Sequence, residues 1–269
     1  MHPAKQITMR SLRNLPLQPR RDAWLEINLD ALEKNARAIR KLIPSHVDLM
    51  AIVKADAYGH GARMVLPTLE ASGVSMAGVA SIDEAIHLRQ AGLKLPILVI
   101  GAVPDWAMQY ASAYDIQLTV FHPHHLENLR KASHQPSNPL KVHIKVDTGM
   151  RRIGIPWEEA PEFIRYCQKQ PYLQVEGIFS HLADSLSDEP TRLQLERWEQ
   201  VCVAASPLPR YVHISNSGHA LMPNAFIQNG KPNFNNLARL GIGFWGYGIH
   251  PKQTELTLKP AMSLKARIM

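Results

Sequence analysis

Lys54 opens a polar run, Lys54-Ala55-Asp56-Ala57-Tyr58-Gly59-His60-Gly61, directly after the apolar stretch Leu49–Val53. A lysine amine held over a site can condense with a carbonyl to an imine, and the glycines and tyrosine make a tight loop suited to hold it there. Its ordinary alternative is a solvated charge. Tyr58 can donate to a phosphate from the same loop, or pack half-buried. A second run, Lys145-Val146-Asp147-Thr148-Gly149-Met150-Arg151-Arg152-Ile153-Gly154, offers Arg152 as a clamp for a carboxylate through two parallel hydrogen bonds, or as a surface arginine. Its Asp-Thr-Gly also matches the aspartic-protease tripeptide. That chemistry needs two carboxylates, and the motif occurs once, between β/α units. Later come Ser180-His181, Ser215-Asn216-Ser217-Gly218 and Arg239-Leu240-Gly241-Ile242-Gly243. Ser217, Gly241 and Ile242 supply the small residues and backbone N–H groups that cradle phosphate.

These runs share a position. Apolar strand patterns occur at Leu49–Val53, Ser75–Val79, Ile97–Ile100, Gln117–Val120, Val142–Val146, Val175–Phe179, Tyr211–Ser215 and Leu237–Leu240. Helical periodicity fills the intervals: Ala62–Ala71, Ile82–Ala91, Asp105–Ala113, Pro123–Ala132, Trp157–Gln168, Pro190–Ala205 and a short piece after Ser217. Ahead of them, Leu32, Ala36, Ile39 and Ile43 line one face of a helix that Pro44 ends, with Asp30 and Glu33 at capping-box spacing. Strand–helix units in this number and span predict an α/β fold, a (β/α)8 TIM barrel, with a doubly wound open sheet as the alternative. The polar runs then fall at strand C-terminal ends, the face where such barrels do chemistry. Strand patterns at Ala23–Ile27 and Ala261–Ile268 are left over and suggest a small second sheet made from both termini.

Composition narrows the function classes. The chain has 269 residues, 45% of them apolar, with 30 Lys+Arg against 23 Asp+Glu. Residues 1–21 hold Lys5, Arg10, Arg13, Arg20 and Arg21 and no acid, so the body is nearly neutral, which argues against a nucleic-acid footprint. The basic segment reads as a disordered extension. No apolar stretch approaches the roughly 20 residues of a membrane span. Cys167 and Cys202 lack Cys-x-x-Cys spacing, so the compartment reads as reducing. Gly241-x-Gly243-x-x-Gly246 fits the dinucleotide fingerprint, yet Phe244, Trp245 and Pro251 follow in place of a helix pattern. His122, His124 and His125 flank Pro123 as first-turn residues, and no metal site is assigned.

In this order the motifs V-K-A-D-A-Y-G-H-G, K-V-D-T-G-M-x-R-x-G, S-H-x-A, S-N-S and A-R-L-G-I resemble the alanine racemases, fold-type III pyridoxal-phosphate enzymes of bacteria, from about Asp22 to Arg267. The resemblance implies that Lys54 carries pyridoxal 5'-phosphate and serves as the D-face base. It implies that Tyr58, Asn216, Ser217, Gly241 and Ile242 surround the phosphate, and that Arg239 bonds the pyridine nitrogen. His181 would lie beside the ring and Arg152 would reach the cofactor phenolate. Lys145 matches a position often carbamylated, which would support Arg152. The implied reaction interconverts L- and D-alanine for peptidoglycan, in the cytoplasm, with no nucleic-acid or membrane partner and with the full-length family form a homodimer.

The family completes its site with a C-terminal β-domain that brings the L-face tyrosine. No counterpart is assignable here, and Tyr211 and Tyr247 occupy no matching motif. The expected organisation is a basic extension over 1–21, a barrel over 22–258 with an extra strand at 22–28, and the opening strand of the missing domain over 259–269. A truncated, impaired racemase is the first reading. A non-catalytic single-barrel pyridoxal-phosphate-binding protein is the alternative, and an amino-acid decarboxylase of the same fold type is a third.

Overall fold

The computed structural model describes residues 22–133, 139–185, 187–228, 230–247 and 256–268. The expected extension over 1–21 lies outside the described residues. Strands β2 (Asp48–Ile52), β3 (Met76–Val79), β4 (Ile97–Val99), β5 (Ile116–Val120), β6 (Leu140–Asp147), β7 (Leu173–Phe179), β8 (Tyr211–His213) and β9 (Leu237–Leu240) run parallel in the order β9-β2-β3-β4-β5-β6-β7-β8. They form a nearly closed barrel. Its seam, between β8 and β9, is bridged where the Asn236 N–H donates to the Val212 carbonyl at 3.0 Å and the Val212 N–H donates to Asn236 Oδ1 at 2.8 Å. Asn236 Nδ2 donates in turn to the Arg210 carbonyl at 2.7 Å, so one side chain substitutes for missing ladder bonds.

Every residue of β3, β4, β5, β8 and β9 is buried, as expected of parallel strands covered on both faces. The covering helices are α1 (Leu29–Leu42), α2 (Ala62–Ala71), α3 (Ile82–Gln90), α4 (Gln109–Ala113), α5 (Pro123–Ala132), α6 (Ala160–Gln168), α7 (Asp188–Ala204) and the one-turn α8 (Ser217–Ala220). Three expectations shift. The cap of α1 is Asn28, whose Oδ1 accepts the Ala31 N–H at 2.9 Å, while Asp30 sits inside the first turn, where an acid favours the helix dipole. Asp105–Ala107 forms a separate 3-10 turn ahead of α4. Ile155–Pro156 pairs with the end of β6, so α6 begins at Ala160, with Pro161 in its first turn.

The two leftover strands pair with each other: β1 (Ala23–Ile27) runs antiparallel to β10 (Met262–Ala266), with Ala23 opposite Ala266 and Ile27 opposite Met262. Inside the barrel the side chains divide into two groups. Met50, Ile52, Met76, Leu98, Tyr211 and Leu237 form one apolar cluster. Gln117, Thr119, His143, Lys145, His213 and Arg239 are buried polar residues on β5, β6, β8 and β9. Gly177 on β7 is needed beside them, since a Cβ there would collide with the His143 imidazole. The barrel is therefore apolar on one side and hydrogen-bonded on the other, and the polar side leads up to the strand C-termini.

Candidate functional site

At the C-terminal mouth lies a cavity of about 280 Å³ lined by Lys54, Tyr58, Lys145, Arg152, His181, Asn216, Ser217, Arg239, Gly241 and Ile242. All the site residues named from sequence thus share one cavity. Ile52, Ile100, Ile153, Phe179 and Gly218 complete the lining. Sequence reasoning passed over these apolar walls, although Ile52, Ile100 and Phe179 end barrel strands or directly follow them.

Lys54 leaves β2 and enters an unusual turn. Ala55, Asp56, Ala57 and Tyr58 have φ of 51°, 52°, 57° and 55°, a left-handed helical turn built from non-glycine residues. Each such residue costs about 1–2 kcal/mol. The turn is closed by the Ala57 N–H donating to the Val53 carbonyl at 2.8 Å and the Gly59 N–H to the Ala55 carbonyl at 3.0 Å. It brings the Lys54 amine to 5.8 Å from the Tyr58 ring centre.

Opposite, Ser217 Oγ accepts the Gly241 N–H at 3.1 Å, and Asn216 Oδ1 caps α8 by accepting the His219 N–H at 3.0 Å. A Cβ on Gly241 would lie 3.0 Å from the Tyr58 hydroxyl. A side chain there would push against that hydroxyl, so glycine leaves room for it to face the same space as the 241–242 backbone. The segment Gly241–Gly246 makes successive turns, so the dinucleotide fingerprint is not set in a strand–helix unit.

Arg239, on β9, is 4% exposed and anchors the floor. Its Nη2 donates to the Ser180 and Ile214 carbonyls at 2.8 and 3.0 Å and to His181 Nδ1 at 3.2 Å. Its Nη1 donates to His213 Nδ1 at 2.9 Å. Because Nδ1 of His213 accepts, its Nε2 carries the proton and donates to His143 Nδ1 at 3.0 Å. The His143 Nε2–H then donates to Gln117 Oε1 at 2.8 Å. This row fixes both histidines as neutral tautomers. Sequence reasoning missed Gln117, His143 and His213. The signal was present, because Gln117 and Thr119, and His143 and Lys145, are polar residues two apart in otherwise apolar strands.

Arg152 comes from the loop after β6, where Asp147 Oδ1 accepts the Gly149 and Arg151 N–H groups at 2.9 and 3.0 Å. The Asp-Thr-Gly tripeptide thus braces a loop, with Thr148 buried against the Ser180 hydroxyl at 2.8 Å. Lys145 lies on β6 with its Nζ 4.5 Å from the Phe179 ring centre. Burial, then Arg239 and Arg152, hold its pKa well below the usual lysine range. Burial, then Arg239, pushes His181 down to about 2, and burial, then Arg152, pushes Arg239 down to about 9. At neutral pH His181 is uncharged and Arg239 remains a cation.

Lys54, Lys145, Arg152 and Arg239 line the cavity together with no carboxylate. An environment of this sign favours an occupant carrying several negative charges. The cavity contains none of the other polar candidates. Tyr211 packs in the apolar barrel interior, and Tyr247 is half exposed outside the lining. His122 Nδ1 accepts the His124 N–H at 3.1 Å and caps α5. Among the described residues no cluster of three or more His, Cys, Asp or Glu side chains is placed to hold a metal, and no helix is long and apolar enough to cross a membrane.

Residues 27–249 match the family described as alanine racemase, N-terminal domain. The chain is 34% identical over 264 residues to an alanine racemase of Nostoc sp., covering 91% of this chain and 64% of that one. It is 38% identical over 259 residues to alanine racemase 1 of Bacillus subtilis, covering 92% and 63%. Among solved structures, an alanine racemase of Clostridium difficile superposes with a TM-score of 0.82 at 31% identity, covering 93% and 65%. A histidine racemase from Leuconostoc mesenteroides superposes with 0.81 at 27% identity, covering 94% and 67%. The chain therefore spans about two thirds of the length of these relatives.

Proposed function

We propose, from the premise that this chain belongs to the alanine racemase family, that its barrel holds pyridoxal 5'-phosphate for the interconversion of L- and D-alanine. The family is pyridoxal-phosphate-dependent. The observation that carries the reading is the cavity with four basic side chains and no carboxylate, since this cofactor and an amino acid bring a phosphate, a phenolate and a carboxylate. The residues fit each part. Ser217, Gly241, Ile242, Asn216 and Tyr58 would hold the phosphate, Arg239 the pyridine nitrogen, and Arg152 the phenolate side.

When bound, the cofactor acidifies the Cα–H of an attached amino acid by drawing electron density into its ring. Lys54 then takes or returns the Cα proton on one face. Arg239, charged at neutral pH, would donate a hydrogen bond to the ring nitrogen without surrendering its proton, which would moderate the electron sink and limit side reactions. His181 accepts from Arg239 through Nδ1 and presents Nε2–H, which keeps the wall beside the ring neutral. Lys145, an amine whose burial and two neighbouring guanidiniums favour its neutral form, suits addition to carbon dioxide. Its nitrogen bonds to the carbon and loses a proton, leaving a carbamate anion to support Arg152.

Racemisation needs a proton carrier on each face, and Lys54 serves one. The 269-residue polypeptide is expected to bind the cofactor and to turn over alanine about 10²–10⁴-fold more slowly than a full-length relative. Comparable rates would point to a second carrier inside this chain, with Tyr247 the first to replace. The same reading places the enzyme in the cytoplasm, with the full-length family form a homodimer. Because a histidine racemase shares the fold, D-histidine formation from L-histidine belongs in the same assay.

The direct test is borohydride reduction of the protein mixed with pyridoxal phosphate, followed by peptide mapping. A reduced adduct on Lys54, lost in Lys54→Ala, is expected. An adduct confined to another lysine overturns the reading.

A further inference from the structure

We propose that Glu84 is a positioning residue for Lys54, its carboxylate holding the left-handed turn that presents the amine beside Tyr58. The turn from Ala55 to Tyr58 places four non-glycine residues where L-residues rarely go, so something outside it must hold it. Glu84 Oε1 accepts the Ala55 N–H at 2.6 Å, on the residue that follows Lys54. Its Oε2 accepts the Ala80 N–H at 2.7 Å, in the loop between β3 and α3. The carboxylate therefore ties the exit of β2 to the exit of β3 through two charge-assisted bonds. At the other end, Asp56 Oδ1 accepts the Ala62 N–H at 2.7 Å and pins the turn to the start of α2.

The geometry separates this role from helix capping. Ser81 caps α3 and accepts the Glu84 N–H at 3.3 Å, the first half of a capping box. In a capping box the acid at this position reaches back to the cap's own N–H. Here one oxygen passes to Ala80 and the other crosses to Ala55, which a helix cap does not require. Lys54 and Tyr58 stand at the two ends of the tied turn, so releasing Glu84 would loosen both at once.

The inference rests on the reading that Lys54 carries the cofactor, and two measurements keep the failures apart. The first is amide hydrogen exchange over 54–61 in cofactor-free protein. The second is the rate at which pyridoxal phosphate is trapped on Lys54 by borohydride. Glu84→Ala is expected to speed exchange over 54–61 about tenfold and to slow trapping by a similar factor. Glu84→Gln, which keeps one acceptor and turns an N–H donor toward the other amide, should give an intermediate result. Asp83→Ala, an exposed acid in the same first turn, should change neither. Adding Ala55→Gly to Glu84→Ala should restore trapping about fivefold, because glycine tolerates the left-handed conformation without a side-chain clash.

Unchanged exchange over 54–61 in Glu84→Ala overturns the proposal. So does slower trapping that Ala55→Gly does not rescue while the amides of α3 exchange faster, since that marks Glu84 as a cap only. If Glu84→Ala fails to fold, exchange in Glu84→Gln decides the same question. Absence of trapping on Lys54 in the unmutated chain would overturn the cofactor reading, and exchange would still decide whether Glu84 holds the turn.

Discussion

Below and beside the cavity, His143, His181 and His213 cannot accept protons without breaking their bonds, and His219 lies buried nearby on α8. Burial, then Arg239, pushes His143 down to about 3, and the same causes, with smaller contributions from His143 and Lys145, hold His213 well below its ordinary value. His181 falls to about 2, and burial pushes His219 down to about 4. In the unfolded chain each titrates near the ordinary histidine value of about 6.5. Between these values the unfolded state binds more protons than the folded one, so stability is full above about pH 6.5 and is lost as pH falls. From pH 6.5 to 5.5 the loss is about 1 kcal/mol for each of His143, His181 and His219, on the order of 3 kcal/mol for the three, and His213 adds to it in the same direction. Thermal melts across this interval should show Tm dropping well before carboxylates protonate. A flat Tm there would mean that these rings reach solvent in the folded state.

At the scale of elements, α1 does more than cover the barrel. Asn35, 2% exposed on its inner face, donates through Nδ2 to the Phe244 and Lys259 carbonyls at 3.1 and 2.7 Å and accepts the Lys259 N–H on Oδ1 at 2.9 Å. Asn35→Ala strands three backbone groups and is expected to cost about 2–3 kcal/mol in urea unfolding; a loss under about 0.5 kcal/mol would show that water replaces the amide. The sequence already showed the apolar face of α1 through Leu32, Ala36 and Ile39, because burial repeats with the helical period. Asn35 stayed hidden, since its partners lie more than 200 residues away and no local pattern encodes them. The barrel strands were legible for the same reason that α1 was. The left-handed turn after Lys54 was not, because Ala55, Ala57 and Tyr58 have no local preference for positive φ, and the acid bonded to that turn sits on another element. The site residues were legible through their motifs, whereas the His143 and His213 row needed the strand register to bring β5, β6, β8 and β9 together.

The whole molecule is a ring of strands with one weak joint. At the β8–β9 seam the Asn236 side chain replaces ladder bonds, and the loops carrying Ser217 and Gly241 stand on either side of it. Asn236→Ala should accelerate amide exchange at Val212 about tenfold and leave β3 to β6 unaffected. Uniform loss of protection around the ring would instead mean that the barrel opens as one unit. The pairing of Ala23 with Ala266 has a consequence in time as well as space. About 240 residues separate the partners, and at roughly 5–20 residues per second a ribosome needs about 12–50 s to make them. For most of that interval β1 is outside the ribosome with Leu25 and an open edge, and its partner strand has not yet been made. Translation speed through the barrel therefore sets how long each nascent chain can be captured by another, and slower synthesis should lower the soluble yield.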